Sequence, residues 1–119
     1  MTAALPITET MPFDTLIANA GRLRILAALA VENRQEFVQL RKVTCLTDGN
    51  LSSHAKRLQG GGLVEIHKSF RDGKPVTTIQ LTDDGRRRLT DHARALLAAV
   101  EGEAQLAVAV SEPEDEWVD

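Results

Sequence analysis

Histidine, cysteine and carboxylate side chains are the groups in this 119-residue chain that could bind a metal ion or transfer protons. His54, His67 and His92 are far apart in sequence, and no histidine pair at i, i+4 suggests a metal site. Asp83 and Asp84 are neighbours, but they begin a predicted helix, where acids interact favourably with the helix dipole. No nucleophile–base signature or phosphate-cradling glycine loop is present. The sequence therefore predicts no catalytic residue, no metal and no cofactor, and so a protein that is not an enzyme.

A polar segment in the middle of the chain is suited instead to contact with nucleic acid. Leu51, Ala55 and Leu58 recur at i, i+4 and i+7, which predicts the buried face of a helix. At about 100° per residue, the opposite face is small, polar or basic. The predicted DNA-binding residues of this segment are Thr47, Asp48, Gly49, Asn50, Ser52, Ser53, Lys56 and Arg57.

These side chains divide by chemistry. Asn50 and Ser53 can reach base edges, whereas Lys56 and Arg57 can reach guanine edges or phosphates. Small residues at the beginning of the helix let the backbone approach a groove of the duplex. The alternative interpretation is an ordinary solvated helix face.

A β-hairpin is predicted directly after this helix. Two alternating runs rich in β-branched residues, 63–68 and 76–81, flank an Asp72-Gly73 pair, which is a strong turn signal. The basic residues of its tip, which can contact the DNA backbone or enter a minor groove, are Lys68, Arg71 and Lys74. The alternative is a turn that only favours solubility.

Charge is distributed unevenly along the chain. The net charge is −3, but residues 1–40 carry −1, residues 41–88 carry +5 and residues 89–119 carry −7. The basic block suits a phosphate-facing surface. It includes three consecutive arginines, 86–88, which would fan over about 200° of a helix, so a solvated face and phosphate contact are both open. The alternative function is a protein–protein interaction module that uses the acidic C-terminal segment.

The remaining pattern predicts the elements that position these residues. Apolar spacing from Phe13 predicts one broken helix or two short ones, with Asp14 and Asn19 as N-caps and Gly21 as a kink or break. The polar stretch 32–36 ends that helix. A second helix follows, with one face marked by Phe37, Leu40 and Val43.

The third helix, capped by Thr47, ends at Gly60-Gly61-Gly62, because glycine readily adopts the left-handed conformation of a helix C-cap. Thr82 caps a last, long helix. Its apolar stripe, which is longer than a small domain needs, contains Leu89, Ala93, Leu96, Val100, Ala104 and Ala107.

The predicted organisation is an N-terminal arm (1–12), one domain (13–110) whose last helix spans 83–110, and an acidic disordered tail (111–119). Without a basic-then-apolar leader or a run of about 18 apolar residues, a cytoplasmic location with no membrane partner is expected. The single Cys45 cannot form an internal disulfide, and its apolar neighbour Leu46 favours a buried structural thiol.

A family resemblance now becomes visible. The chain resembles winged helix-turn-helix transcriptional regulators of the MarR/ArsR type, and particularly the short winged-helix DNA-binding proteins among them. The resemblance covers residues 13–100 and rests on the runs GRLRIL (21–26), FVQLR (37–41), LTDGNLSSH (46–54), GLV (62–64) and LTDDGR (81–86). The chain departs from the family pattern at three places. Ala55 stands where a larger aliphatic residue is usual, and Cys45 stands where a glycine is usual. The pair Gly60-Gly61 is an addition before the expected Gly62.

The resemblance implies an α+β, mostly helical fold: a winged helix-turn-helix with a two-stranded wing and a long C-terminal dimerisation helix. It further implies a bacterial-type regulator that binds double-stranded DNA as a homodimer at a pseudo-palindromic site. A small-molecule effector is compatible with this class, and no segment identifies one. The residues expected at the dimer interface are Phe13, Leu16, Leu89, Leu96, Leu97 and Val100.

Overall fold

A computed structural model describes residues 13–102 of the chain. The predicted arm, the predicted tail and residues 103–110 of the predicted last helix lie outside this range. The described elements are α1 (Ala20–Val31), β1 (Arg34–Glu36), α2 (Phe37–Thr44), α3 (Asp48–Gly60), β2 (Val64–Arg71), β3 (Lys74–Leu81) and α4 (Asp83–Val100). This order is the winged helix-turn-helix that the sequence predicts.

The chain divides into two compact units. Asp14–Leu89 forms the first, and the described residues of the second are Phe13 and 90–102. The first unit is built around a fully apolar core to which α1, α2, α3 and the base of the hairpin contribute. Its fully or almost fully buried members are Ile17, Ile25, Leu26, Leu29, Leu40, Leu51, Ala55, Leu58, Leu63, Val64, Ile79 and Leu81.

The N-terminal helix is shorter than predicted. α1 begins at Ala20, where Asn19 Oδ1 accepts a hydrogen bond from the Arg22 N–H at 3.0 Å, which confirms Asn19 as the N-cap. The preceding residues form a turn instead, in which the Asp14 carbonyl accepts from the N–H groups of Ile17 and Ala18 at 3.0 and 2.9 Å. Asp14 therefore caps a turn, and a helix from Phe13 is wrong.

The sequence predicts a kink or break at Gly21, but this residue lies within the first turn of α1. A Cβ at this position would lie 2.7 Å from His54 Nε2 on α3. The close approach of α1 and α3 therefore explains why glycine stands here.

A third strand was not expected in the polar stretch 32–36. Arg34–Glu36 pairs antiparallel with β3, in the register Arg34↔Gln80 and Glu36↔Thr78, and the strand order is β1-β3-β2. Gln35 is buried, and its Nε2 donates to the carbonyls of Ala28 and Glu32 at 2.8 and 3.0 Å. Three polar residues carry no strand signal, so this pairing depends on the free edge of β3.

The second helix forms where predicted, but its buried face differs in part. Leu40 is fully buried, whereas Val43 is 59% exposed, so its assignment to the apolar face is wrong. Thr44 is buried in its place, because its Oγ1 donates to the Leu40 carbonyl at 2.6 Å and so satisfies the hydroxyl. The buried face of α2 is thus formed by Leu40 and Thr44, which are four residues apart.

Cys45 ends α2 in the left-handed conformation, at φ 61° and ψ 25°. Its side chain is exposed, so the expectation of a buried thiol is wrong. The position explains why glycine is usual there in the family, since left-handed backbone is costly for residues with a Cβ.

The third helix agrees with its prediction at both ends. Thr47 Oγ1 accepts from the Asn50 N–H at 3.1 Å, and Leu51, Ala55 and Leu58 are buried. Gly62 has φ +82°, which lets the following N–H of Leu63 return to the Leu58 carbonyl at 2.9 Å.

The hairpin and the last helix also begin as predicted. Asp72 and Gly73 both have positive φ, 55° and 79°, the conformation of a type I′ turn. Thr82 Oγ1 accepts from the Gly85 N–H at 2.9 Å and donates to the Gly62 carbonyl at 2.7 Å. A Cβ on Gly85 would overlap the Leu63 carbonyl oxygen, so glycine permits α4 to begin against this loop.

Candidate nucleic-acid interface

The outward face of α3 is the first part of the candidate interface. Gly49, Asn50, Ser53, Lys56 and Arg57 are all exposed, opposite the buried Leu51, Ala55 and Leu58. A Cβ at Gly49 would have no neighbour within 4 Å, so the first turn of the helix presents open backbone. This surface is small at its beginning and cationic farther along.

The second part is a groove of about 920 Å³ between α3 and the hairpin. Its floor is apolar and includes Phe37, Ala55, Ile66 and Ile79. Five of the residues predicted to contact DNA lie along it, namely Ser52, Lys56, Lys68, Arg71 and Lys74. The tertiary structure thus brings the cations of the helix and of the wing to one concave surface.

Other predicted contact residues lie outside the groove and have local partners. Thr47 serves as the N-cap of α3 through its hydroxyl. The exposed Asp48 carboxylate accepts from Arg41 Nη1 at 2.9 Å, which joins α2 to the beginning of α3. Arg57 lies on the side of α3 near His54, where its charge acts on the imidazole.

Gln59 is a structural member of the interface that sequence reasoning missed. Its Oε1 accepts from the Ile66 N–H at 3.1 Å, a bond that joins α3 directly to β2. A glutamine near the end of a polar helix gives no sequence signal of this role, since the partner is backbone brought close by the fold.

Glu36 is a second residue that the sequence did not indicate. Its two carboxylate oxygens accept from Arg71 Nη1 and Nη2 at 2.7 and 3.1 Å, a bidentate pair between the wing tip and the residue before α2. This hydrogen bonding holds the pKa of Glu36 below its ordinary value and raises that of Arg71. One predicted DNA contact is therefore held by an internal anion.

His54 faces inward from α3. Its Nδ1 lies 3.5 Å from Arg22 Nη1, and Arg22 is itself buried, with Nε donating to the Leu16 carbonyl at 2.6 Å. Desolvation, and then the charges of Arg22 and Arg57, lower the pKa of His54 from 6.5. The imidazole is therefore neutral at neutral pH.

The three arginines at the beginning of α4 point to separate partners. Arg86 Nη2 donates to Asn33 Oδ1 at 3.0 Å, and Arg87 pairs with Asp84. Arg88 Nη2 lies 2.9 Å from Asp14 Oδ2. Each guanidinium has a partner within the chain, so these residues do not form one phosphate-facing cluster.

The residues expected at a dimer interface fall into two groups. Leu16 and Leu89 are partly buried against the core of the first unit. In the second unit, Leu96, Leu97 and Val100 are 48%, 56% and 74% exposed. Phe13 packs its ring edge-on to His92, with centroids 5.7 Å apart.

Within 13–102, no helix is long and apolar enough to cross a membrane. In the same range, no three His, Cys, Asp or Glu side chains are grouped to hold a metal ion.

An exposed helix-turn-helix followed by a hairpin wing, whose strands join β1 in a three-stranded sheet, defines the winged-helix class of DNA-binding proteins. The family model described as a winged helix DNA-binding domain matches residues 22–100, so the chain belongs to this family of transcriptional regulators. The predicted resemblance and fold class are confirmed.

The chain is also similar to individual proteins and solved structures. The chain is 31% identical to a transcriptional regulator homologue from Pyrococcus horikoshii OT3, with a TM-score of 0.73, covering 81% of this chain and 95% of that one. It is 43% identical over 65 residues to the uncharacterized protein MJ0432 of Methanocaldococcus jannaschii, which is 55% of this chain and 71% of that protein. The PcaV transcriptional regulator of Streptomyces coelicolor shares the fold at 19% identity and a TM-score of 0.63, over 94% of this chain and 74% of that one.

Proposed function

We propose that this chain is a transcriptional repressor that binds a pseudo-palindromic operator as a homodimer and catalyses no reaction. The observation that carries the proposal is the groove in which Lys56 of α3 meets Lys68 and Lys74 of the wing. Cations on two elements around one concave surface suit a DNA backbone, which enters between a helix and a wing.

The helix reads sequence in this proposal. Thr47, Asp48 and Gly49 begin α3 with small or short side chains, so its N-terminal end can approach the major groove closely. Asn50 and Ser53 contact base edges, and Lys56 and Arg57 contact guanine edges or phosphates. Ser52, at the margin of the groove, adds a hydroxyl for a phosphate oxygen.

The exposed apolar residues of α4 support the proposal of a homodimer. Leu96, Leu97 and Val100 recur at helical spacing and expose the large aliphatic side chains that a two-fold helix pair would bury. Phe13 extends this surface in the proposal. Two recognition helices would then enter successive major grooves about 34 Å apart.

The DNA-binding test is fluorescence anisotropy with the duplex upstream of the protein's own coding sequence and with a random duplex, from about 50 to 200 mM salt. Tight, steeply salt-dependent binding that favours the upstream duplex is expected. Lys56→Ala should weaken both complexes, whereas Arg94→Ala, which removes an equal exposed charge from α4, should not. Absence of binding to either duplex at low salt would reject the proposal in favour of the interaction module.

The dimer is tested separately by light scattering at micromolar concentration. The wild-type chain should have twice the monomer mass, and Leu97→Asp should shift it to the monomer, because the dimer would bury an unpaired charge. A monomeric wild-type chain would contradict the dimer without affecting the DNA-binding surface.

A further inference from the structure

Phe70 is the most exposed aromatic residue in the part of the chain that the structure describes, with 75% of its surface open to solvent. It lies one residue before the closing pair of the wing hairpin, in register with Pro75. Burying a phenylalanine ring stabilises a protein relative to leaving the ring exposed to water. A single exposed apolar side chain is common, so the argument depends on its surroundings.

The position of Phe70 follows from the alternation of the strand. Val64, Ile66, Lys68 and Phe70 share one face of β2, and that face is buried at Val64 and lines the α3–wing groove at Ile66 and Lys68. Phe70 lies about 13 Å beyond Ile66 along the strand. The apolar face of the sheet thus continues past the helices that cover its base and ends in an uncovered ring.

The hairpin tip next to Phe70 is held by an ion pair and a tight turn. Arg71, the next residue along the strand, is held by its two hydrogen bonds to Glu36. The type I′ turn at Asp72-Gly73 closes the ribbon immediately beyond it. Lys68 precedes Phe70 by two residues on the same strand, and Lys74 pairs in register with Arg71, the residue that follows Phe70. The tip is therefore an apolar wedge between cations.

We propose that Phe70 is a DNA-contacting residue that inserts its ring between adjacent base pairs of the minor groove where the wing meets the operator. Proteins that insert apolar side chains from the minor groove unstack a base step and kink the duplex, while neighbouring Lys and Arg side chains hold the backbone. The minor groove, about 6 Å wide, is narrower than the major groove that admits a whole two-stranded ribbon, so only the tip of the wing would enter it. This inference rests on the proposed DNA-binding function and adds the mode of contact and a preference for easily unstacked steps such as TA and CA.

The probe for the test is a duplex selected by the purified wild-type protein from a random 30-base-pair pool, with 2-aminopurine placed in turn at each TA or CA step. Wild-type protein should raise the 2-aminopurine fluorescence at one step in each half-site, because unstacking relieves quenching. Phe70→Ser should abolish that rise and weaken binding about tenfold, while leaving the salt slope unchanged since the phosphate contacts remain. Phe70→Leu should retain a partial rise.

The matched control is Val31→Ser, which removes another exposed apolar side chain, 89% exposed at the end of α1, and should leave affinity and fluorescence unchanged. Wild-type binding without any fluorescence rise, or Phe70→Ser binding like wild type, would overturn the wedge and leave the proposed function intact. A change in oligomeric state of Phe70→Ser would instead assign the ring to a contact between copies. Failure of the wild-type chain to select any duplex would overturn both proposals.

Discussion

Arg71 and Glu36 form a two-bond ion pair, at 2.7 and 3.1 Å, that ties the tip of the wing to the residue preceding α2. The two residues are 35 positions apart, and Glu36 belongs to the strand that the sequence did not predict. The pair holds Arg71, a candidate DNA-contacting residue, in place. It also neutralises the Arg71 guanidinium with the Glu36 carboxylate.

Replacing Glu36 with Gln should therefore tighten DNA binding. The variant frees the Arg71 guanidinium and removes one negative charge beside the groove, so the slope of log affinity against log salt should steepen by about 0.9, the value for one further phosphate contact. Anisotropy titrations at four salt concentrations measure it. Glu32→Gln, which removes an equal charge from the neighbouring turn, is the control, and weaker binding by Glu36→Gln would mean that the pair positions the wing for DNA.

Stability should fall on mild acidification because of His54. Its pKa is lowered in the folded chain from 6.5, so the unfolded chain binds the proton first as the pH falls. The contribution of neutral His54 to the free energy of unfolding is fully present above pH 6.5. It is lost as the pH falls from there towards the pKa of His54 in the folded chain. Urea unfolding between about pH 5.5 and 7.5 should show a smaller pH dependence for His54→Gln than for wild type. An unchanged slope in His54→Gln would exclude this residue as the cause.

Gly85→Ala should destabilise the fold strongly. The added Cβ would overlap the Leu63 carbonyl oxygen, and because backbone cannot rotate away like a side-chain end, a loss of about 3 kcal/mol in unfolding free energy is expected. Gly49→Ala is the matched control, since its Cβ meets nothing within 4 Å. That variant should be as stable as wild type or up to about 1 kcal/mol more stable, because alanine favours a helix. Equal effects of the two substitutions in chemical denaturation would contradict the predicted clash.

Cys45→Gly should be tolerated or stabilising, by up to about 1 kcal/mol, because glycine adopts the left-handed conformation without the penalty of a Cβ. Cys45→Val should be destabilising for the same reason, as β-branched residues are the least suited to positive φ. Thermal unfolding of the two variants beside Cys45→Ala provides the comparison. A less stable glycine variant would show that the thiol contributes more than the backbone strain costs.

Much of the fold followed from local chemistry. The Thr47 and Thr82 caps, the glycine end of α3 and the Asp72-Gly73 turn depend on interactions within a few residues, which sequence spacing encodes directly. The buried face of α3 likewise follows from the helical period. These elements agreed with their predictions for that reason, and they place α3 beside the wing.

Other features depend on contacts between residues far apart in sequence. β1 exists because β3 offers a free edge, and Val43 is exposed because Thr44 satisfies its own hydroxyl and takes the inward position. Gly21 lies in the first turn of α1, where a Cβ would meet the imidazole of His54. Periodicity and propensity carry no information about such partners.

For the candidate interface, the sequence by itself determined which residue types face away from the core, because polarity and helical spacing suffice for that. Only the tertiary structure decided which of them share one groove, that Arg71 is held by Glu36, and that Phe70 is left uncovered at the end of the wing. These features depend on the distances between separate elements. Core packing sets those distances, because it buries one face of each element and thereby fixes where the exposed faces lie.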